Sequence, residues 1–144
     1  MKKTVYINLA GKNYPLNFSL GTCKVINKEL GGLENFDAAL GGGLNEDTIE
    51  KIVTILHTLI SQGCTYKNIF EIDAGIFIDE VENPAFDEEG HFKPLTKEMI
   101  ELAIGIEDIE EIVNKINESV KVSSDTEVEV KQLKNEKAPK EVKV

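Results

Sequence analysis

The sequence holds 144 residues and 16.0 kDa, the span of one ordinary domain and long enough to bury a core. Its 26 acidic residues outnumber 16 basic ones, every one a lysine, for a formal charge of -10; this disfavours nucleic-acid binding, which rests on lysine and arginine displacing counterions from phosphates. Cys23 and Cys64 form neither a metal nor a redox spacing and are too few for a disulfide scaffold, which favours a reducing cytosol, and no apolar run approaches the roughly 20 residues that cross a bilayer.

In chain order, Val5, Ile7 and Leu9 alternate with Tyr6 and Asn8, and Tyr14-Pro15-Leu16-Asn17-Phe18 follows a Gly/Asn turn. Period-two alternation about such a turn predicts a β-hairpin over about 4–18. Pro15 cannot donate to a ladder, so the second strand belongs at an edge or turns that amide position to solvent. Ser19 caps a helix carrying Cys23, Val25, Ile26 and Leu30, stopped by Gly31-Gly32. A short helix with Leu33, Phe36 and Leu40 on one stripe ends at Gly41-Gly42-Gly43.

Asn45 is the N-cap of the clearest helix, with Glu46 and Asp47 in the first turn, where the helix dipole favours negative charge. Its apolar positions, Ile49, Ile52, Val53, Ile55, Leu56, Leu59 and Ile60, cover a wide face, so a central buried helix is expected, with Gly63 at its C-terminal end. From Cys64 to Pro94 the pattern is weak. Ala74-Gly75-Ile76-Phe77-Ile78 reads as a short strand or as part of a helix, and Asn83-Pro84 and Glu89-Gly90 as turns.

Thr96 caps a further helix in which Met99, Leu102, Ile106, Ile109, Val113, Ile116 and Val120 recur at spacings of three and four. This is a seam of about three heptads, suited to packing along another helix, and Gly105 weakens it enough to split it near Ile104 to Ile106. From Lys121 to Val144 six lysines face five carboxylates, with too little apolar content to offset ordering entropy, which predicts a flexible charged tail. That tail carries a surplus of one positive charge, which leaves -11 for residues 1–120 out of the total of -10. The expected fold is therefore α+β: mostly helical with an N-terminal β-hairpin, about three to five helices, a single folded domain over 1–120 and a flexible tail over 121–144.

Catalytic, metal and cofactor patterns are weak. His57 flanks the apolar stripe of its helix and His91 sits in a turn, both ordinary surface or boundary positions. Cys64 and His57 form a nucleophile and base pair only if brought within hydrogen-bond reach, and no third, orienting group is evident. The run Asp79, Glu80, Glu82, Asp87, Glu88 and Glu89 does not make a calcium loop, because counting from Asp79 places Pro84 where such a loop needs glycine. Gly41-Gly42-Gly43 and Gly31-Gly32 lack the partners of a phosphate or dinucleotide loop and read as helix stops. No catalytic residue, metal or cofactor is expected.

The opening Tyr6-Ile7-Asn8-Leu9-Ala10-Gly11-Lys12-Asn13-Tyr14-Pro15-Leu16-Asn17-Phe18, followed by a short helix ending in Leu30-Gly31-Gly32-Leu33 and then a longer apolar helix, resembles the tail assembly chaperones of long, non-contractile-tailed (siphovirus-type) phages of Gram-positive bacteria. The likeness covers roughly residues 4 to 62 and is qualitative from there to Val120. It implies a non-enzymatic protein of the infected or lysogenic cell's cytoplasm that binds the helical tape-measure protein, helps recruit tail-tube protein and is absent from the mature virion. Helix-in-groove contacts at Met99, Leu102, Ile106, Ile109, Val113 and Ile116 are the natural means of holding such a client, and an apolar patch of this kind favours a homo-oligomer without it. A structural minor tail or tail-completion protein is the alternative, and an acidic DNA mimic a weaker third.

Overall fold

The computed structural model describes residues 3–31 and 44–135, with side chains as far as Ser123. Strand β1, Val5–Leu9, and strand β2, Lys12–Leu16, pair antiparallel, with Val5 opposite Leu16 and Leu9 opposite Lys12. Ala10 and Gly11 turn the chain at φ 53° and 87°, the left-handed pair that matches the twist of a tight hairpin. Alternation buries Val5, Ile7 and Leu9 of β1 with Tyr14 and Leu16 of β2. Asn13 sends its N–H away from β1 to the Asn83 carbonyl at 2.9 Å. Pro15, two residues on, shares that outer edge, so its missing amide costs the hairpin no bond.

Helix α1, Leu20–Leu30, begins where the Ser19 side chain accepts the Thr22 N–H and ends at Gly31, whose N–H makes the last helical bond to the Asn27 carbonyl and whose φ of 85° then takes the chain out of the helix. Helix α2, Glu46–Lys67, starts where Asn45 Oδ1 accepts the Thr48 N–H at 2.9 Å. Ile52, Val53, Ile55, Leu56, Leu59, Ile60 and Cys64 are buried along it, so α2 is the central helix that its wide apolar face predicts. It packs against β2, α1 and the helix that follows.

The expected stop at Gly63 is corrected: α2 runs on to Lys67 and into a five-residue π-helical turn, Asn68–Ile72. Gly63 serves a different purpose. A β-carbon there would stand 2.5 Å from the Pro15 carbonyl carbon and 3.0 Å from the Leu16 nitrogen, so glycine is what lets β2 cross the helix this closely.

The stretch left open between strand and helix, Ala74 to Ile78, is neither. Phe77 turns inward instead and meets Phe86 and Phe92 edge-on at centroid distances of 6.0 and 5.9 Å, while isolated bridges join Asn13 to Pro84 and Phe86 to Phe92. Asn83 and Gly90, at φ 48° and 83°, form the turns expected there.

Helix α3, Lys97–Ala103, is capped by Thr96. The chain is extended at Ile104 and Gly105, passes through a 3-10 turn, Ile106–Asp108, and enters helix α4, Ile109–Asn135. The heptad pattern is thus split at Gly105, whose N–H donates to Asp108 Oδ2 at 2.9 Å. Helix α4 packs on β1 and continues through Lys121, the residue at which the tail is expected to begin. Val120 and Val122 pack against the core and Ser123 Oγ donates to the Phe18 carbonyl, which gives this turn the apolar and polar partners that composition alone did not promise. The expected short helix with Leu33, Phe36 and Leu40, and residues 136–144 of the expected tail, lie outside the described residues. No helix among the described residues is long and apolar enough to cross a membrane.

Candidate functional site

The six residues of the expected partner surface divide between α3, the 3-10 turn and α4. Helix α3 turns Ile100 inward, where it is fully buried; at 100° per residue Leu102 then lies about 160° around the helix from it. Accordingly Leu102 is 89% exposed, Met99 49% and Ile106, beyond the break, 74%. Ile109 and Val113 are half-buried against the core, and Ile116 is buried beside Ile112. Ile116 is therefore withdrawn from the partner surface, because α4 uses that stripe to cover β1. What stays open is Met99 and Leu102, three residues apart on α3, and Ile106 just past the break, together called the ridge. Glu98, Glu101, Glu107, Glu110 and Glu111 are exposed around it and Asp108 partly so, while Lys97 is the single basic residue between 97 and 111.

A second set of apolar side chains is open where α2 passes into the π-helical turn. Tyr66, Ile69 and Phe70 are exposed there, with the Tyr66 and Phe70 rings 5.3 Å apart. Within residues 66–72 the charged side chains are Lys67 and Glu71, and they pair with each other, so the three exposed apolar side chains are not interrupted by an unpaired charge from their own segment.

Beneath it lies a charge network that the sequence reading missed. The Lys67 side chain is 4% exposed, yet its Nζ donates to both Glu71 carboxylate oxygens at 2.9 and 3.0 Å and to Asp79 Oδ2 at 2.6 Å. Tyr6 donates its hydroxyl to the same Asp79 oxygen at 2.6 Å, and the ammonium lies 5.7 Å from the centre of the Phe77 ring. Burial works to raise the Asp79 pKa, but the bonds from Lys67 and Tyr6 outweigh it and hold the carboxyl below its usual range. Burial first, then the bond to Asp79, pushes the Tyr6 hydroxyl well above its usual value. Each of these four side chains is bonded to another of them, so the network ties β1, α2 and the 73–79 segment together. The adjoining cleft, lined by Thr4, Asn17, Lys67 and Ser119 among others, has about 50 Å³, room for a few water molecules. A signal for Lys67 does exist in the sequence: it falls three residues after Cys64 and seven after Ile60, on the buried face of α2.

The acidic run is not gathered into one site. Asp79 points inward to Lys67, whereas Asp87 Oδ1 accepts the N–H groups of Glu89 and His91 at 2.8 and 3.1 Å, bonds that lower its pKa. Asp87, Glu89 and His91 form a group with metal-ligating spacing among the described residues. Its donor atoms are largely engaged, since His91 Nε2 also meets Asp73 Oδ1 at 2.5 Å, a contact that raises the His91 pKa. Cys64 and His57 are not brought together: seven helical residues separate them by about 10 Å along the axis. Burial pushes the Cys64 thiol up to about 12, far from a reactive thiolate, and burial followed by nearby Lys97 lowers the His57 pKa.

Comparison with protein-family models, with curated proteins and with solved structures finds no match.

Proposed function

We propose that the chain is a non-enzymatic tail assembly chaperone of a long, non-contractile-tailed phage, holding the helical tape-measure protein in the host cytoplasm and assisting tail-tube assembly without entering the virion. The observation that carries this reading is the ridge of Met99, Leu102 and Ile106, open to solvent on a strongly acidic chain. A holdase has to offer apolar surface to a client while like charge discourages indiscriminate aggregation. The hairpin and the two following elements, which carry the resemblance, form the scaffold behind that ridge: β1 seats α4 and α2 seats α3. The uncharged Tyr66, Ile69 and Phe70 surface suits self-association and is the natural contact of a homo-oligomer.

Two measurements test the reading. A tape-measure fragment should be retained by the immobilised protein, and failure to retain it with the chain folded rejects the proposal. Mass spectrometry of purified virions separates the alternative, because a minor tail or tail-completion protein is present at fixed copy number and a chaperone is missing.

A further inference from the structure

We propose that the α3 corner, where Met99, Leu102 and Ile106 stand open, docks an apolar helical segment flanked by lysine or arginine. The inference rests on the assembly-chaperone reading for the source of the partner and adds the charge that partner must carry.

Two independent features converge on this corner. The first is exposure: Leu102 at 89% is more open than any other large apolar side chain among the described residues, although Ile100, two positions earlier, is completely buried. Leu102 adds nothing to the buried core, and it is not alone: Met99 and Ile106 are exposed on the same short stretch of chain, a cluster rather than a single exposed side chain. The second is charge. Residues 97–111 hold six carboxylates and one lysine, Lys97; Glu98 lies one turn before Leu102 on the same side of the helix, and Glu101 flanks that side. Within a Debye length of about 8 Å at physiological salt these charges act on whatever covers the ridge.

The acidic rim selects among occupants. A second copy would bring an identical negative rim against the first, and juxtaposed like charges disfavour such pairing. An acidic or neutral helix would lose the hydration of the rim with no compensation. A basic segment with leucine-like anchors satisfies both parts: its apolar side covers Leu102 and Ile106, and its lysines or arginines face Glu98, Glu101 and Glu107. This partner differs in kind from one suited to the uncharged Tyr66, Ile69 and Phe70 surface.

The test uses the full chain and synthetic helix-forming peptides of about 18 residues, one with leucine on one face and lysine elsewhere, the other with glutamate in place of lysine. Binding is followed by fluorescence anisotropy at roughly 150 mM salt. The leucine and lysine peptide should bind, and the double variant Leu102→Ala/Ile106→Ala should weaken it by about tenfold or more with unchanged circular dichroism. Glu98→Gln/Glu101→Gln should weaken it severalfold more than Glu88→Gln/Glu89→Gln, an equal loss of charge at another exposed site. The proposal is overturned if the two charge pairs act equally, if the double variant binds as the parent does, or if the glutamate peptide binds as well. It is also overturned if sedimentation shows a dimer that Leu102→Ala/Ile106→Ala dissociates, since the face would then belong to a second copy. A tape-measure fragment that is not retained would reject the functional reading and leave these peptide affinities standing. Loss of the peptide's selectivity beside a retained fragment would reject the docking face alone.

Discussion

Gly63→Ala sets two physical effects against each other. In an unobstructed helix interior the substitution stabilises by about 1 kcal/mol, because alanine loses less backbone entropy than glycine. At this position the new methyl group would stand 2.5 Å from the Pro15 carbonyl carbon and closer still to its oxygen. Relief requires β2 and α2 to separate by about 1 Å, and neither side yields easily: Asn17 donates its N–H to the Leu59 carbonyl at 3.2 Å across this junction, and Leu16 and Ile60 are buried beside it. Overpacking against rigid neighbours costs about 1–3 kcal/mol, and backbone that cannot rotate away belongs at the upper end. The balance is a net destabilisation of about 2 kcal/mol, or about 6–8 °C in Tm for a domain of this size. Urea unfolding followed by circular dichroism measures it, with Thr65→Ala, exposed on the same helix, as a companion expected to gain a few tenths of a kcal/mol. A Gly63→Ala midpoint equal to or above the parent's would refute the close crossing of β2 over α2.

Lys67→Met strips the ammonium from Glu71 and Asp79 and should cost about 2–3 kcal/mol, moderated because both carboxylates reach solvent; a change within 0.5 kcal/mol, the range of an ordinary surface substitution, would contradict the network. Because the Asp79 pKa is lowered in the folded chain, its contribution is present above its unfolded value of about 4 and is lost as pH falls through the lower folded value. Lys67→Met should therefore flatten the acid limb of the stability profile. The two histidines give a clean titration by NMR. His91, raised by Asp73, should titrate above about 6.5 and His57, lowered by burial, below it; coincident curves would dismiss both environments. The His91 to Asp73 contact stabilises fully below about pH 6.5 and fades as pH rises through the raised value. Ile116→Ala should cost about 2–5 kcal/mol and Leu102→Ala less than about 0.5 kcal/mol, and similar losses for the two would mean that the partition of the heptad pattern is wrong.

Local signals in the sequence carried most of the fold. Ser19, Asn45 and Thr96 each cap the helix they precede, because a short oxygen-bearing side chain answers one turn of unpaired N–H groups whatever the tertiary context. The hairpin and the buried face of α2 follow from periodicity for the same reason. Gly63 misled because a glycine near a helix end reads as a stop, whereas its role comes from a strand nearly fifty residues earlier in the chain. Lys67 carries no motif, since a lone lysine in the last turn of a helix ordinarily reaches solvent, and only its partners Glu71 and Asp79 make its burial tolerable. The heptad spacing was real but ambiguous: one pattern serves an inward stripe at Ile116 and an outward ridge at Leu102, and the break at Gly105 decides which residues do which. For the candidate site, Met99, Leu102 and Ile106 were legible as apolar periodic positions, while their exposure depended on how the chain bends after Ala103.

Hydrogen exchange read by mass spectrometry, on the full chain alone and with a helical fragment of a phage tape-measure protein, puts the central claim to its most direct trial. The account predicts a soluble complex with protection concentrated in residues 97–111 and little change over the acidic loop at 87–91. A complex that leaves 97–111 exchanging as in the free chain, or the absence of any complex, would contradict it.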